Sequence, residues 1–216
     1  MKKILLFISI LLMSFTSIAA DSKSDKTDIV EGKQYIKLLQ LPSQQKEVIE
    51  FFSFYCGACY MAETQFHISD TIKENLPQDI ALKKYHIENF GGLSKALSEA
   101  WAIANVLDIT DSFSKAIFNG IQRDKNITTP EDIKKVFNQL GVSSEEYDSM
   151  KSNILVKTFL TQQSAAIEKL KPISVPSFYV NGKYQLNGRE LNQTNEALWI
   201  KDHSRVINYL LGLDDK

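Results

Sequence analysis

The chain has 216 residues, 44% of them hydrophobic and 24% charged, with a formal net charge of −1. That balance argues for a globular chain and against a disordered one, and the length suits one well-packed domain with room for an inserted subdomain. No basic tract or basic–aromatic stripe stands out, so nucleic acid is not an expected partner.

The first residues read as a targeting segment. Lys2 and Lys3 make a positive start, Ile4 to Phe15 an apolar core, and Ser17-Ile18-Ala19 a small-residue site for cleavage before Ala20. Cleavage after Ala20 is the alternative, with Ile18 a poorer residue at −3. The apolar run is shorter than the about 20 residues a spanning helix needs, and an uncleaved anchor is the competing reading. No cysteine follows it, so a lipid-anchored amino terminus is not expected. Residues 1–19 are thus read as a signal peptide that carries the chain out of the cytosol. Loss of Lys2 and Lys3 takes the net charge from −1 to −3.

Residues 20–32 are polar, charged and without periodicity, and read as a flexible arm. Tyr35 to Leu39 is a candidate first strand, followed by a loop through Leu41-Pro42-Ser43. Val48 to Tyr55 reads as a buried strand, the residues after Cys59 to Phe66 as a helix, and Ile80 to Ile87 as a strand. Together these make a βαβ unit with a parallel strand pair.

From about Leu93 to Lys171 the pattern is helical. Ala96, Leu97, Ala100, Trp101, Ala104 and Leu107 lie at helical spacing. Thr129 is an N-cap ahead of Pro130, with Gly141 as the stop. Ser143-Ser144-Glu145-Glu146 reads as a capping box, and a further helix runs from Ile154 to Leu170. The tail returns to β: Phe178-Tyr179-Val180 and Lys183-Tyr184-Gln185-Leu186 flank Asn181-Gly182, a type I′ hairpin signal. A last helix spans Glu196 to Leu211, with Gly212 as its stop. The expected division is 33–92 for a first half-domain, 93–171 for an inserted helical subdomain and 172–216 for the second half.

Cys56 and Cys59 are the chain's two cysteines. Cys56-Gly57-Ala58-Cys59 sits where the strand gives way to the helix. There the free N–H groups and positive end of the helix favour a thiolate on the first sulfur. A disulfide across two residues closes too small a loop to stabilise the fold much, so the pair reads as reactive. His67, His86 and His203 are the histidines, and none has the spacing to complete a zinc site with the cysteines. No metal and no bound cofactor are expected beyond the redox-active Cys56–Cys59 disulfide. Glu50 is an acid in an apolar strand, six residues before Cys56 and on the side of Phe52 and Phe54. Burial would raise its pKa and suit it to move a proton for Cys59. A partly exposed or paired strand carboxylate is the alternative.

The order β-α-β, helical block, β-β-α with this Cys-x-x-Cys resembles a thioredoxin-like fold. More specific are Glu31-Gly32-Lys33-Gln34-Tyr35, Glu50-Phe51-Phe52-Ser53-Phe54, His67-Ile68-Ser69-Asp70, Lys84-Tyr85-His86, Glu145-Glu146-Tyr147-Asp148 and the stretch Phe178 to Leu186. With them nearly all the mature chain resembles the DsbA family of periplasmic thiol oxidases. The resemblance implies an α/β, thioredoxin-like fold with an all-helical subdomain inserted between its βαβ and ββα halves. It implies that Val175-Pro176 is a cis-proline loop against the cysteine pair, where the residues alone leave cis and trans open. It places Glu50 beneath the pair with Lys84 as its basic neighbour.

The implied activity is donation of the Cys56–Cys59 disulfide to exported proteins with thiols, by a periplasmic monomer that binds peptide at Val175 and Pro176. A DsbB-like, quinone-linked membrane protein would reoxidise it. A reductase or isomerase on the same fold is the nearest alternative, although residues 20–32 leave no room for the dimerisation domain of DsbC-type isomerases. A chaperone or binding module with incidental cysteines is the other. The chain departs from the family at Gly57-Ala58, where well-known members carry Pro-His. Without that histidine, Cys56 is expected to have a higher pKa and the disulfide to be less oxidising.

Overall fold

The computed structural model describes residues 28–88 and 90–213. The predicted signal peptide, 1–19, and residues 20–27 of the predicted arm lie outside them. Five strands, β1 (Tyr35–Lys37), β2 (Val48–Phe52), β3 (Leu82–His86), β4 (Ser177–Val180) and β5 (Tyr184–Leu186), form one sheet in the order β1-β5-β4-β2-β3. Helices α1 (Gly57–Thr64) and α2 (Ile68–Asn75) connect β2 to β3, which pair in parallel. Helices α3 (Ser94–Val106), α4 (Thr110–Phe118), α5 (Pro130–Gln139), α6 (Ser144–Met150) and α7 (Ile154–Leu170) lie between β3 and β4, and α8 (Glu196–Leu211) closes the chain. This is the expected thioredoxin-like α/β architecture with its helical insertion.

The central strand is legible from its residues. Val48-Ile49-Glu50-Phe51-Phe52 is buried throughout, as a strand covered on both faces must be. Val48 packs with Ile72 of α2 and Val206 of α8. Ile49 and Phe51 point the other way, into a cluster with Leu170 and Tyr179 that Phe159 and Ile167 of α7 cover. The strand ends at Phe52, three residues short of the predicted Tyr55, because Ser53 turns the chain. Its carbonyl accepts the Cys56 N–H at 3.0 Å, and its hydroxyl accepts the Tyr55 N–H at 3.2 Å. Phe54 leaves the sheet but stays buried, edge-on to Phe52 at 5.0 Å and against Phe118 at 4.8 Å. These rings join Trp101, Phe113 and Phe137 to fasten the helical block to the sheet.

Local signals act as their chemistry requires. Asn181 and Gly182 both have positive φ, +52° and +62°, and the Lys183 N–H closes the hairpin on the Val180 carbonyl at 3.0 Å. Thr129 and Asp132 form a reciprocal capping box ahead of α5, while Ser143 caps α6 through the Glu146 N–H at 3.1 Å. Gly141 takes φ +88° after α5. Two expectations are corrected. The helix after Cys59 ends at Thr64, because His67 takes a left-handed φ of +50° and redirects the chain into α2. Residues 28–32 of the predicted flexible arm are docked: Ile29 is buried in the cluster beneath α8, and Asp28 accepts a hydrogen bond from Arg205 at 2.7 Å. Among the described residues no helix is long and apolar enough to cross a membrane.

Candidate active site

Cys56 is the N-cap of α1. Its backbone is extended (φ −87°, ψ 114°), and its Sγ accepts the Cys59 N–H at 3.2 Å. A helix start leaves its first N–H groups without intrahelical partners, so a sulfur placed there gains both a donor and the favourable end of the dipole. The structure holds the pair as two thiols. Their settings differ: Cys56 is partly exposed, whereas Cys59 is 2% exposed. The Cys59 thiol and the N–H groups of Cys59 and Ala58 bring the Cys56 pKa down to about 6 against the opposing effect of burial. Burial pushes Cys59 far up, and the neighbouring Cys56 and Glu50 charges push the same way. One sulfur is thus prepared as nucleophile and leaving group, and the other stays protonated.

The two predicted loop residues lie against the pair. The Val175–Pro176 peptide is cis, and the Val175 carbonyl accepts the Cys56 thiol at 3.3 Å. Gly57 and Ala58 are exposed and bring no side-chain donor. A Cβ built on Gly57 would meet only the Gln122 Oε1, at 4.0 Å.

Beneath the pair is a buried charge cluster that the β2–β3 register assembles by placing Glu50 opposite Lys84. The Lys84 Nζ lies 3.4 Å from Glu50 and 2.6 Å from Glu63 of α1, and it donates to Ser69 of α2 at 3.1 Å. The Ser69 hydroxyl donates to Glu50 at 2.7 Å. Ser114 of α4 donates to Glu63 at 3.2 Å. Burial raises the Glu50 pKa, and Lys84 offsets only part of that, with Glu63 adding to it. Lys84 loses by burial, but Glu50 and Glu63 outweigh this and hold it charged. Burial thus leaves Glu50 readier to hold a proton than an ordinary carboxyl.

Residues 47–198 match the family model described as the DSBA-like thioredoxin domain. The chain belongs to the DsbA family. It is 36% identical over 211 residues to the thiol:disulfide interchange protein DsbA of Salmonella typhimurium, with 98% of this chain and 99% of the relative covered. The crystal structure of DsbA from Klebsiella pneumoniae superposes with a TM-score of 0.82 at 39% identity, covering 86% of this chain and 98% of that one. A variant of DsbA from Proteus mirabilis with a non-covalently bound peptide, PWATCDS, gives a TM-score of 0.81 at 33% identity, covering 85% and 98%. DsbA itself is a familiar case of a depressed cysteine pKa, roughly 3.5.

Next to the cysteines the chain carries a groove of about 460 Å³. Ala58 and Met61 of the redox helix, the Val175–Pro176 loop, Phe178, Trp199 and His203 are among its walls. The three histidines are dispersed: His67 pairs with Asp70 at 3.4 Å, His86 is buried against Ser98 at 2.9 Å, and His203 bonds the Trp199 carbonyl at 2.9 Å. Burial takes His86 down to about 3, so it is neutral. Sequence reasoning missed Glu63, Ser69 and Gln122, whose amide donates to the Phe54 carbonyl at 2.7 Å. Glu63 stands four residues after Cys59 and so lies on the same helix face, a spacing that could have flagged it.

Proposed function

We propose that this chain is a periplasmic thiol:disulfide oxidase that passes the Cys56–Cys59 disulfide to exported proteins as they fold. The observation that carries the reading is the unequal pair at the start of α1, with Cys56 reachable and depressed to about 6 and Cys59 buried and raised. A substrate thiolate attacks the Cys56 sulfur of the disulfide. The S–S bond breaks, Cys59 leaves as a thiolate and takes a proton, and a mixed disulfide remains. A second substrate thiolate attacks the substrate sulfur of that bond, and Cys56 leaves as a thiolate. The substrate gains a disulfide, and the chain takes up two electrons as its dithiol. A good leaving group makes a strong oxidant. Glu50, held near its proton by burial and linked to Lys84 and Ser69, supplies and recovers the proton of Cys59.

Substrate chain lies in the groove along Val175 and Pro176, and the Val175 carbonyl is 3.3 Å from the attacked sulfur. The bound peptide in the Proteus mirabilis relative supports a peptide as occupant. Residues 1–19 direct export and are removed, the mature chain works as a monomer, and a DsbB-like quinone-linked membrane protein returns it to the disulfide. The chain carries no cofactor in this reading. The test mixes the oxidised protein with an equimolar reduced two-cysteine peptide. Transfer predicts a peptide disulfide and two free thiols on the protein, and none with Cys56→Ser. A disulfide that resists all but strongly reducing glutathione buffers would move the chain to the reductases or isomerases. Full biological effect from a Cys56→Ser, Cys59→Ser protein would make it a binding module.

A further inference from the structure

His203 is 4% exposed, and its hydrogen bond occupies only one of its two ring nitrogens. The Nδ1 lies 2.9 Å from the Trp199 carbonyl, one turn back on α8. A carbonyl only accepts, so Nδ1 carries the hydrogen and Nε2 presents a lone pair. Among the described residues no donor reaches that lone pair. Burial holds the ring below its ordinary pKa, against the pull of the Trp199 and Ile200 carbonyls and Asp202, so at neutral pH the ring is neutral and Nε2 accepts. Its orientation is fixed by edge-on packing on Trp199 at 4.8 Å and on Phe178 at 5.8 Å.

The unpartnered atom belongs to the groove beside the cysteines, which His203 lines. Gly188 stands over it: a Cβ there would come within 3.9 Å of the Nε2, and glycine leaves that approach open. The groove wall also carries the apolar Phe66, Ile68, Phe178 and Trp199, beside the polar Ser177, Asn187 and Arg189. The Trp199 indole N–H is already committed to the Gly188 carbonyl at 3.2 Å. An acceptor that a bound ligand closes off from water discriminates between ligands that differ by one donor, because the ligand without it leaves the acceptor unpaired.

Resting on the oxidase reading above, we propose that His203 sets a side-chain preference in this groove. Its Nε2 accepts a hydrogen bond from a client side chain with a flat apolar body and a donor at its tip, so segments with tyrosine or tryptophan near the attacked cysteine are oxidised ahead of those with phenylalanine. The ring of the client packs on Trp199 and Phe178, and its O–H or N–H ends at Nε2. One such bond is worth roughly a fivefold preference.

The test uses reduced two-cysteine peptides with one aromatic residue placed one to four positions to either side of a cysteine, each made with tyrosine and with phenylalanine. The readout is kcat/KM for oxidation by the full mature protein. The expected result is a tyrosine form about fivefold faster at one placement, with the ratio falling to about one in His203→Phe, which keeps a ring and removes the acceptor. Equal rates for the two forms at every placement, or a ratio that survives His203→Phe, would overturn the inference. Should that variant not fold, the wild-type protein decides by ¹⁵N NMR. A tyrosine peptide with serine for cysteine shifts the His203 Nε2 resonance and its phenylalanine twin does not; identical shifts overturn the inference. If wild-type protein oxidises neither the peptides nor dithiothreitol, the oxidase reading itself has failed, which is a different outcome.

Discussion

Ala58→His measures what the missing histidine costs the thiolate. In the wild-type site Cys56 is held at about 6 by the Cys59 thiol and by two backbone N–H groups, against burial, with no cationic side chain at Gly57 or Ala58 to help. An imidazolium at the exposed position 58 would lower the thiol pKa by ~1. At pH 7 a fall from about 6 to ~5 favours the dithiol over the disulfide by about 1.3 kcal/mol. Cys56 is open enough to water that screening removes roughly half of this. The remaining ~0.7 kcal/mol is about 15 mV in a two-electron couple, or roughly threefold in the equilibrium with glutathione. The sign is fixed: a lower thiolate pKa stabilises the reduced form, so the variant is the stronger oxidant. The assay pairs a thiolate absorbance titration with equilibration in graded glutathione buffers. If neither the titration nor the equilibrium moves, or if the variant becomes less oxidising, the account of Cys56 as an N-cap thiolate short of a cation is wrong.

Glu50→Gln should slow disulfide exchange at least tenfold near neutral pH and flatten its pH dependence, read by stopped-flow fluorescence from about pH 5 to 9. Parental rates over that range would remove Glu50 from the reaction. Alkylation of the reduced protein should label Cys56 alone, with a rate midpoint near about 6; a midpoint at the ordinary thiol value would contradict the site geometry. Because the folded Cys56 pKa is depressed from 9.0 to about 6, the dithiol form gains stability as pH rises from about 6 to 9 and loses it as pH falls through 6. The gap between reduced and oxidised urea midpoints should therefore change in that window, and a constant gap counts against the shift. Lys84→Met leaves buried Glu50 and half-buried Glu63 without their cation and should cost about 3–5 kcal/mol in urea unfolding; a loss under ~1 kcal/mol would show the cluster to be hydrated.

Much of this molecule is written locally. Asn181-Gly182 dictates its hairpin, Thr129-Pro130 starts its helix, and Asn195 caps α8 through the Leu198 N–H at 2.9 Å, all within a few residues of chain. The cysteine pair was equally plain, since a Cys-x-x-Cys after a buried strand carries both its place and its chemistry. What escaped was set by pairing across distance. Glu63 looks like any solvated helix carboxylate until β3 brings Lys84 beneath it, and Ser69 like any helix-start serine until it meets Glu50. The arm misled for the opposite reason: Ile29 is a single apolar residue in a polar stretch, and only the far end of the chain supplies Arg205 and the α8 face to hold it.

The strand order has a consequence for how the chain comes to life. β2 sits between β3, its near neighbour in sequence, and β4, which follows the whole helical block. Until that last portion arrives, β2 has one open edge, a template for pairing with other chains. The wall that confronts Cys56, Val175 and Pro176, arrives with the same strand. Closing so long a loop is slow relative to forming helices, so the cysteines emerge early and gain their companion surface late. A chain interrupted after α7 would keep both thiols and have no finished place to use them. Competence in disulfide transfer thus certifies that synthesis and folding have passed β4.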